Sequence, residues 1–401
     1  MFPVAEIKKQ PEDFIVEEIT PDGKVLELDT PFSIPDEEGK FLHFAMQKKD
    51  WDTNSAIRRI SRALRTSHKR FNTAGTKDKF AVTTQRVSFF AGNKEKVLNL
   101  KLQDIKILGA WIAKDKLKLG ELGGNRFRIK IYGDEKPDLL PYFFNFFGPQ
   151  RFGATRANTH LIGKYMIMKE YETAVKEYLL NYEGERSEIS VSARKKLAED
   201  LDYKKAFEYF PKHLKFERIL LSHLATHSND YIGALRKLPR TTVLMFIHAY
   251  QSYLFNIELS ERISKKIFDK MENEYFCGAD ELGFPDICLK QDKGYLALNI
   301  IGYETTINEL EKEILEREGI DSSMFKLHSM PELSSKGSFR TFFNFAKYPK
   351  WGGEYTVFSL SSGAYASTYL LHHFNLIQQD LPGFLPQHVH KNKELLVSLF
   401  D

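Results

Sequence analysis

The apolar pattern of this chain changes twice along its 401 residues, and that double change limits the folds open to it. Before residue 153, short runs at 14–19, 41–46, 81–91 and 127–132 read as β-strands, and strand patterning returns at 354–360. Between about 154 and 335 the chain is mostly helix-patterned, as at 158–181, 240–266 and 306–317. Strand-rich ends around a helical middle predict one α+β domain built from residues 1–153 and 336–401, with an inserted domain over 154–335. One further helix is expected near the start. Between Asn54 and Arg65, the residues Ile57, Ile60 and Leu64 share a face, and Thr53 or Asn54 can cap it. No internal repeat or low-complexity tract interrupts this plan, and the segment from Leu381, with two prolines, reads as a loose tail.

Composition excludes several classes. Hydrophobic residues make up 42% and charged residues 28%, enough to bury a core. No stretch approaches the roughly 18 apolar residues of a membrane span. The opening MFPVAEIKKQ lacks an apolar signal core, so a soluble cytoplasmic protein is expected. Cys277 and Cys288 match no zinc spacing and read as ordinary thiols. His372-His373 and His388-x-His390 are the close histidine pairs, and both read as non-ligands. The net charge of +4 says little alone, because the positive charges are clustered.

Three segments carry chemistry. The first is Gly75-Thr76-Lys77-Asp78-Lys79, set between a basic run and a strand. A carboxylate flanked by lysines is favoured in its ionised form, which suits nucleophilic or electrostatic work. An exposed turn is the plainer reading of those residues alone, and the loop is too short for a phosphate-cradling P-loop. The second is Phe143-Phe144-Asn145-Phe146-Phe147-Gly148-Pro149-Gln150-Arg151-Phe152-Gly153. Aromatic faces can stack a base drawn out of its helix, amides can read its edge and arginine can hold a phosphate. Simple core packing of the phenylalanines competes with that. The third runs from Arg58 to Arg70 and holds Arg58, Arg59, Arg62, Arg65, Lys69 and Arg70 with no acid among them. A solvated helix face normally mixes signs, whereas a single-sign face attracts a phosphate backbone.

Together these segments resemble the TruD family of tRNA pseudouridine synthases. GTKDKFAVTTQ is similar to the family's catalytic-aspartate motif and aligns Asp78 with that aspartate. NFFGPQRFG is similar to its Asn-x-Phe-Gly-x-Gln-Arg-Phe-Gly motif, which carries over Asn145 and Phe147. Lys8-Lys9-Gln10-Pro11-Glu12-Asp13-Phe14 resembles its first motif and points to Lys8 as an active-site lysine. Residues 119–127 and 360–367 also resemble family segments, with Ser361 standing where the family often has proline.

The resemblance implies a pseudouridine synthase fold, with a long, bent, mostly antiparallel sheet and a mainly helical inserted TRUD domain. It implies isomerisation of uridine to pseudouridine, at uridine 13 of tRNA, with no cofactor and no metal. Asp78 would attack the uridine or assist ribose deprotonation, Lys8 would hold its charge, Asn145 would position Asp78 or the base, and Phe147 would stack on the flipped uracil. Arg58, Arg59, Arg62 and Arg65 are the expected RNA backbone contacts, with Arg151, Arg156 and Lys164 lining a cleft. Competing readings are the same chemistry on another RNA or position, a non-catalytic RNA-binding protein, and a methyltransferase. The last would need a glycine-rich cofactor loop after an early strand, and none is present.

Overall fold

A computed structural model describes residues 3–153 and 155–376. They form two compact units, the first taking the chain up to Phe143, Ala279–Asp286 and the chain from Phe343, the second Phe144–Gly278 and Ile287–Phe342. The tail from Leu381 and the His388-x-His390 pair lie outside the described residues.

Unit 1 is an eight-stranded mixed sheet. Its order is Lys347–Gly352, Tyr355–Leu360, Gly124–Lys130, Phe14–Ile19, Val82–Phe90, Phe41–Lys49 and Ile105–Ala113, with Phe71–Thr73 also paired to Val82–Phe90. Phe14–Ile19 runs parallel to Val82–Phe90, and the other pairings are antiparallel. The α+β architecture is therefore as expected, and the five strands read from short runs all form. The expected 127–132 strand instead begins at Gly124 and ends at Lys130.

The central strand Phe14–Ile19 is buried along its whole length, including Glu17 and Glu18. Neighbouring residues in a strand face opposite ways, so each face of the sheet receives one carboxylate. Buried charges persist when they are paired. Glu17 accepts from Arg126 Nε at 2.7 Å, and Glu18 accepts from Arg86 Nε at 2.9 Å. On this sheet lies the helix Thr53–Ala63, which packs Ala56, Ile57 and Ile60 against Leu42, Phe44, Met46, Val87 and Phe89. Its cap is Asp52, whose Oδ1 accepts from Ser55 N at 2.9 Å, not Thr53 or Asn54. Asp52 is the last residue with extended backbone. The Thr53 hydroxyl is already committed to Gln85 at 2.9 Å.

Unit 2 is built around the 26-residue helix Arg240–Lys265. The helical stretch expected over 158–181 divides into Thr159–Ile167 and Tyr171–Leu180, because Lys169 takes a left-handed backbone (φ 64°) between them. Gly163 lets the first of these approach the long helix closely. A Cβ there would strike the carbonyl oxygen of Phe246. The expected helix over 306–317 forms as Glu309–Glu318, capped by Asn308 in a reciprocal capping box with Glu311. A four-stranded sheet also runs through this part of the chain, in the order Pro285–Gln291, Tyr275–Ala279, Tyr295–Ile300 and Ser338–Thr341. Helical patterning of the surrounding segments concealed it. Among the described residues no helix is long and apolar enough to cross a membrane.

Inside unit 2, Arg262 is fully buried and serves two buried carboxylates, Glu258 at 3.2 Å and Glu274. Glu311 is buried in the same neighbourhood, and burial pushes its carboxyl up from 4.5 to about 7. The folded unit therefore holds a proton that the unfolded chain releases between those values. Stability must then fall as pH rises from 4.5 to about 7 and level off above. Glu311→Gln should flatten that slope. At pH 8 it should unfold at higher denaturant concentration than the parent, by on the order of 2 kcal/mol, with little difference at pH 4.5. Parallel denaturation curves at the two pH values would check this, and equal slopes would disprove it.

Candidate active site

The segment carrying Asp78 is irregular, yet it is fastened at almost every residue. Gln85 Nε2 donates to the Gly75 carbonyl at 3.1 Å, and Lys77 N donates to Thr53 Oγ1 at 3.0 Å. The Lys77 ammonium turns inward to Asn125 Oδ1 and lies 3.6 Å from Glu18. Lys48 Nζ donates to the Asp78 carbonyl at 2.8 Å. Such multiple anchoring holds a carboxylate in place without help from substrate.

The charge around Asp78 is arranged differently from the flanking-lysine expectation. Lys77 is spent on Glu18 and Asn125, and Lys79 is exposed. The cation at the Asp78 carboxylate is Lys8, with Nζ 3.6 Å from Oδ2. Lys8 comes from the far end of unit 1's sequence and is aimed by local backbone geometry. It takes a left-handed conformation (φ 59°), followed by a short 3-10 turn at Pro11–Asp13. Asp13 accepts from Gln10 N at 2.9 Å, which closes that turn. The Lys8 ammonium also sits 3.6 Å from the centre of the Phe14 ring. Lys9 points elsewhere, pairing with Glu6 and lying over Tyr132.

The result is a partly open acid beside buried cations. The Asp78 side chain is 34% exposed and that of Lys8 is 19% exposed. Burial lowers the Lys8 ammonium below its ordinary value, an effect the Asp78 charge opposes. Burial likewise brings Lys48 down to about 8, again against the pull of Asp78 and Asp52. Lys77 is lowered by burial and held up by Glu18. Three amines thus surround one loop, and they differ in task. One faces the carboxylate, one grips its backbone and one anchors the neighbouring residue.

Asn145 and Phe147 lie in unit 2 and form a second constellation, which includes Arg340. Asn145 is buried. Its Nδ2 donates to Thr341 Oγ1 at 2.9 Å, and its Oδ1 accepts from Arg340 Nη2 at 2.6 Å. Arg340 Nε also donates to the Asn145 carbonyl at 2.7 Å. The same guanidinium stands 4.1 Å from the centre of the Phe147 ring. Phe147 is 6% exposed, meets Phe255 edge-on at 5.5 Å and has both backbone polar groups held by Asn256, at 2.8 and 3.0 Å. Gly153 closes the motif at φ 125°, where a Cβ would strike the Arg156 carbonyl oxygen.

The arginines divide into two kinds. Arg58, Arg59, Arg62 and Arg65 are all exposed on or just beyond the Thr53–Ala63 helix, and none makes an ion pair with a described residue. Arg151 donates to Ser252 Oγ at 2.9 Å and lies over Phe147 at 5.4 Å. Arg156 is turned inward. It donates to the carbonyls of Tyr178 and Asn181 at 2.8 and 2.9 Å and meets Glu217 at 3.3 Å. Lys164 pairs with Glu318 at 2.9 Å.

A family model for tRNA pseudouridine synthase D (TruD) matches residues 4–374. The chain belongs to the TruD family. Among curated TruD relatives, a probable tRNA pseudouridine synthase D of Methanopyrus kandleri is 39% identical over 358 residues, spanning 83% of this chain and 85% of the relative. One from Thermoplasma acidophilum is 36% identical over 412 residues, spanning 94% and 95%. The crystal structure of a putative TruD from Methanosarcina mazei superposes with a TM-score of 0.70 at 31% identity, covering 93% of this chain and 94% of that one.

Against the TruD motifs, the serine at 361 is accommodated by Asn344, whose Nδ2 donates to Ser361 Oγ at 3.0 Å. Lys48, Asn125, Arg340 and Asn256 had not been singled out as site residues. Lys48 lies near the end of Phe41–Lys49 and is fully buried, and no local pattern in the sequence marks it out. Among the described residues no group of three or more His, Cys, Asp or Glu is placed to hold a metal. His373 Nε2 accepts from Leu140 N at 2.9 Å, and its Nδ1 meets the Tyr369 carbonyl at 3.0 Å.

Proposed function

We propose that this TruD-family chain isomerises one uridine of tRNA to pseudouridine, and that the uridine is at position 13. The supporting observation is the Asp78 loop: a half-open carboxylate, charge-paired with Lys8 and fixed through its own carbonyl by Lys48. The reaction breaks the bond between ribose C1′ and N1 of the base, turns the base, and joins C1′ to C5, with one proton lost from C5 and one gained at N1. Nothing is oxidised or reduced. Asp78 acts as an ionised carboxylate, either by attacking the uridine or by assisting ribose deprotonation. Lys8 keeps that charge in place.

A base inside a duplex cannot be reached, so it must be flipped out at a cost of a few kcal/mol, which protein contacts offset. Asn145 and Phe147 serve this reading as the frame that orients Arg340. Arg58, Arg59, Arg62 and Arg65 contact the RNA backbone, and Arg151 sits at the margin of its constellation. Arg156 is left out of that surface because its guanidinium is spent on Glu217 and two carbonyls.

The experiment is pseudouridine mapping on unmodified tRNA transcripts. It uses the intact protein and a variant with Arg58, Arg59, Arg62 and Arg65 all changed to Gln. Conversion at position 13 supports the whole reading, and conversion elsewhere corrects the position. Binding without conversion favours the non-catalytic reading. The four-arginine variant should bind more weakly, with a shallower dependence of log affinity on log salt, because each lost phosphate contact removes about one unit of slope. An unchanged slope would remove that helix from the interface.

A further inference from the structure

One residue in unit 1 is held in a conformation its side chain resists and is displayed to solvent. Tyr348 lies in Lys347–Gly352, the edge strand of the sheet, and is 81% exposed. Its backbone is left-handed (φ 53°), a region that bulky aromatic residues avoid. The pairing with Tyr355–Leu360 slips between Lys347 and Lys350, so the strand bulges at this tyrosine. Bulges on edge strands commonly re-aim a side chain, and strain of this kind persists where the surroundings enforce it.

The surroundings enforce it from both sides. Ala346 N donates to the Pro141 carbonyl at 2.7 Å, and Trp351 Nε1 donates to the Pro137 carbonyl at 3.1 Å. Trp351 is also packed edge-on against Phe374 at 6.0 Å and carries Lys136 above its ring at 5.6 Å. These anchors bracket the strained tyrosine on both sides. Lys350, two residues further along the strand, is exposed, whereas the Lys347 ammonium turns to the face of the Phe284 ring, 4.7 Å from its centre. An aromatic face raised clear of the surface, with an exposed amine two residues along the strand, has the chemistry of a stacking platform for an unpaired base with an adjoining phosphate.

We propose that Tyr348 stacks on an unpaired base of the RNA that the site modifies, with Lys350 near the neighbouring phosphate. The target is a second nucleotide, apart from the uridine that reacts at Asp78. This rests on the proposed RNA-modifying function, and its test separates the two. Equilibrium binding of a tRNA transcript, together with kcat and KM for pseudouridine formation, is measured for the intact protein and for Tyr348→Phe, Tyr348→Ala and Tyr348→Gly. A lost base–aromatic stack weakens binding by about tenfold or more, so Ala and Gly should raise Kd and KM by about that factor, with kcat unchanged and Phe close to the parent. Glycine adopts the left-handed backbone without a Cβ penalty, so Tyr348→Gly should keep or raise the thermal midpoint while losing affinity. A merely structural tyrosine would show neither that split nor rescue by Phe. Parental affinity in the Ala and Gly variants overturns the proposal. Binding by the intact protein without conversion overturns the catalytic reading and leaves the Kd comparison to decide Tyr348. Absence of any tRNA binding by the intact protein overturns both.

Discussion

Replacing Asp78 with asparagine is expected to slow pseudouridine formation by on the order of a thousandfold or more while tRNA affinity stays unchanged. The amide has the shape of the carboxylate and lacks its charge. It can neither attack the uridine nor accept a proton with comparable strength. The loop should survive the change, because its anchors do not use the carboxylate. Lys48 grips the Asp78 carbonyl, Thr53 accepts from Lys77 N, and Gln85 holds Gly75. The group that feels the loss is Lys8, whose amine is partly buried and faces that carboxylate. Without the negative charge its proton is held less firmly, so the Lys8 ammonium should titrate at lower pH in the variant. Single-turnover assays at saturating tRNA give the rate. Retained activity would remove Asp78 from the chemistry.

The largest loss of stability is expected from Arg262→Met. The guanidinium is fully buried between Glu258 and Glu274, and Glu258 has one carboxylate oxygen with no hydrogen-bond partner even in the intact protein. Removing the cation leaves two buried carboxylates uncompensated, which costs about 3–5 kcal/mol. For a unit of this size, the thermal midpoint should drop by about 10 °C. The sign with pH is a second check. Burial already holds the Glu258 carboxyl well above its ordinary value against the pull of Arg262, and losing Arg262 raises it further, so the deficit should shrink as pH falls and grow as it rises. Changing Glu258 and Glu274 to Gln in the same chain should recover part of the loss. A midpoint within 2 °C of the parent would show that water reaches the cluster.

What could be read from the sequence followed the physics of patterning. Short strand-like runs located Phe14–Ile19, Phe41–Lys49 and Val82–Phe90 to within a few residues, because these strands are buried along nearly their whole length. The Asp78 loop and Lys8 were visible through their motifs. The electrostatic frame was not. Lys48, Lys77, Glu18 and Arg86 are charged residues that local patterning assigns to solvent, yet all four are buried: Lys77 and Arg86 pair with Glu18, and Lys48 donates to the Asp78 carbonyl. Such pairings join residues far apart in sequence, and no local pattern announces them. The helix cap failed for a smaller reason. Asp52, Thr53 and Asn54 are all good caps, and backbone angles alone choose among them. The four strands between Tyr275 and Thr341 were hidden by the helical patterning around them, and Pro285–Gln291 also ends in a solvent-facing run that resembles a loop.

The strand Gly124–Lys130 has one partner made before it, Phe14–Ile19, and one made long after it, Tyr355–Leu360. Roughly 220 residues separate its end from that second partner, which a ribosome needs on the order of 10–40 s to add. For that interval the nascent chain carries an open strand edge, the kind of surface that pairs with other chains. The early half of the protein is therefore the part exposed to wrong pairing during synthesis. Any chain terminated before Leu360 would keep that edge unsealed.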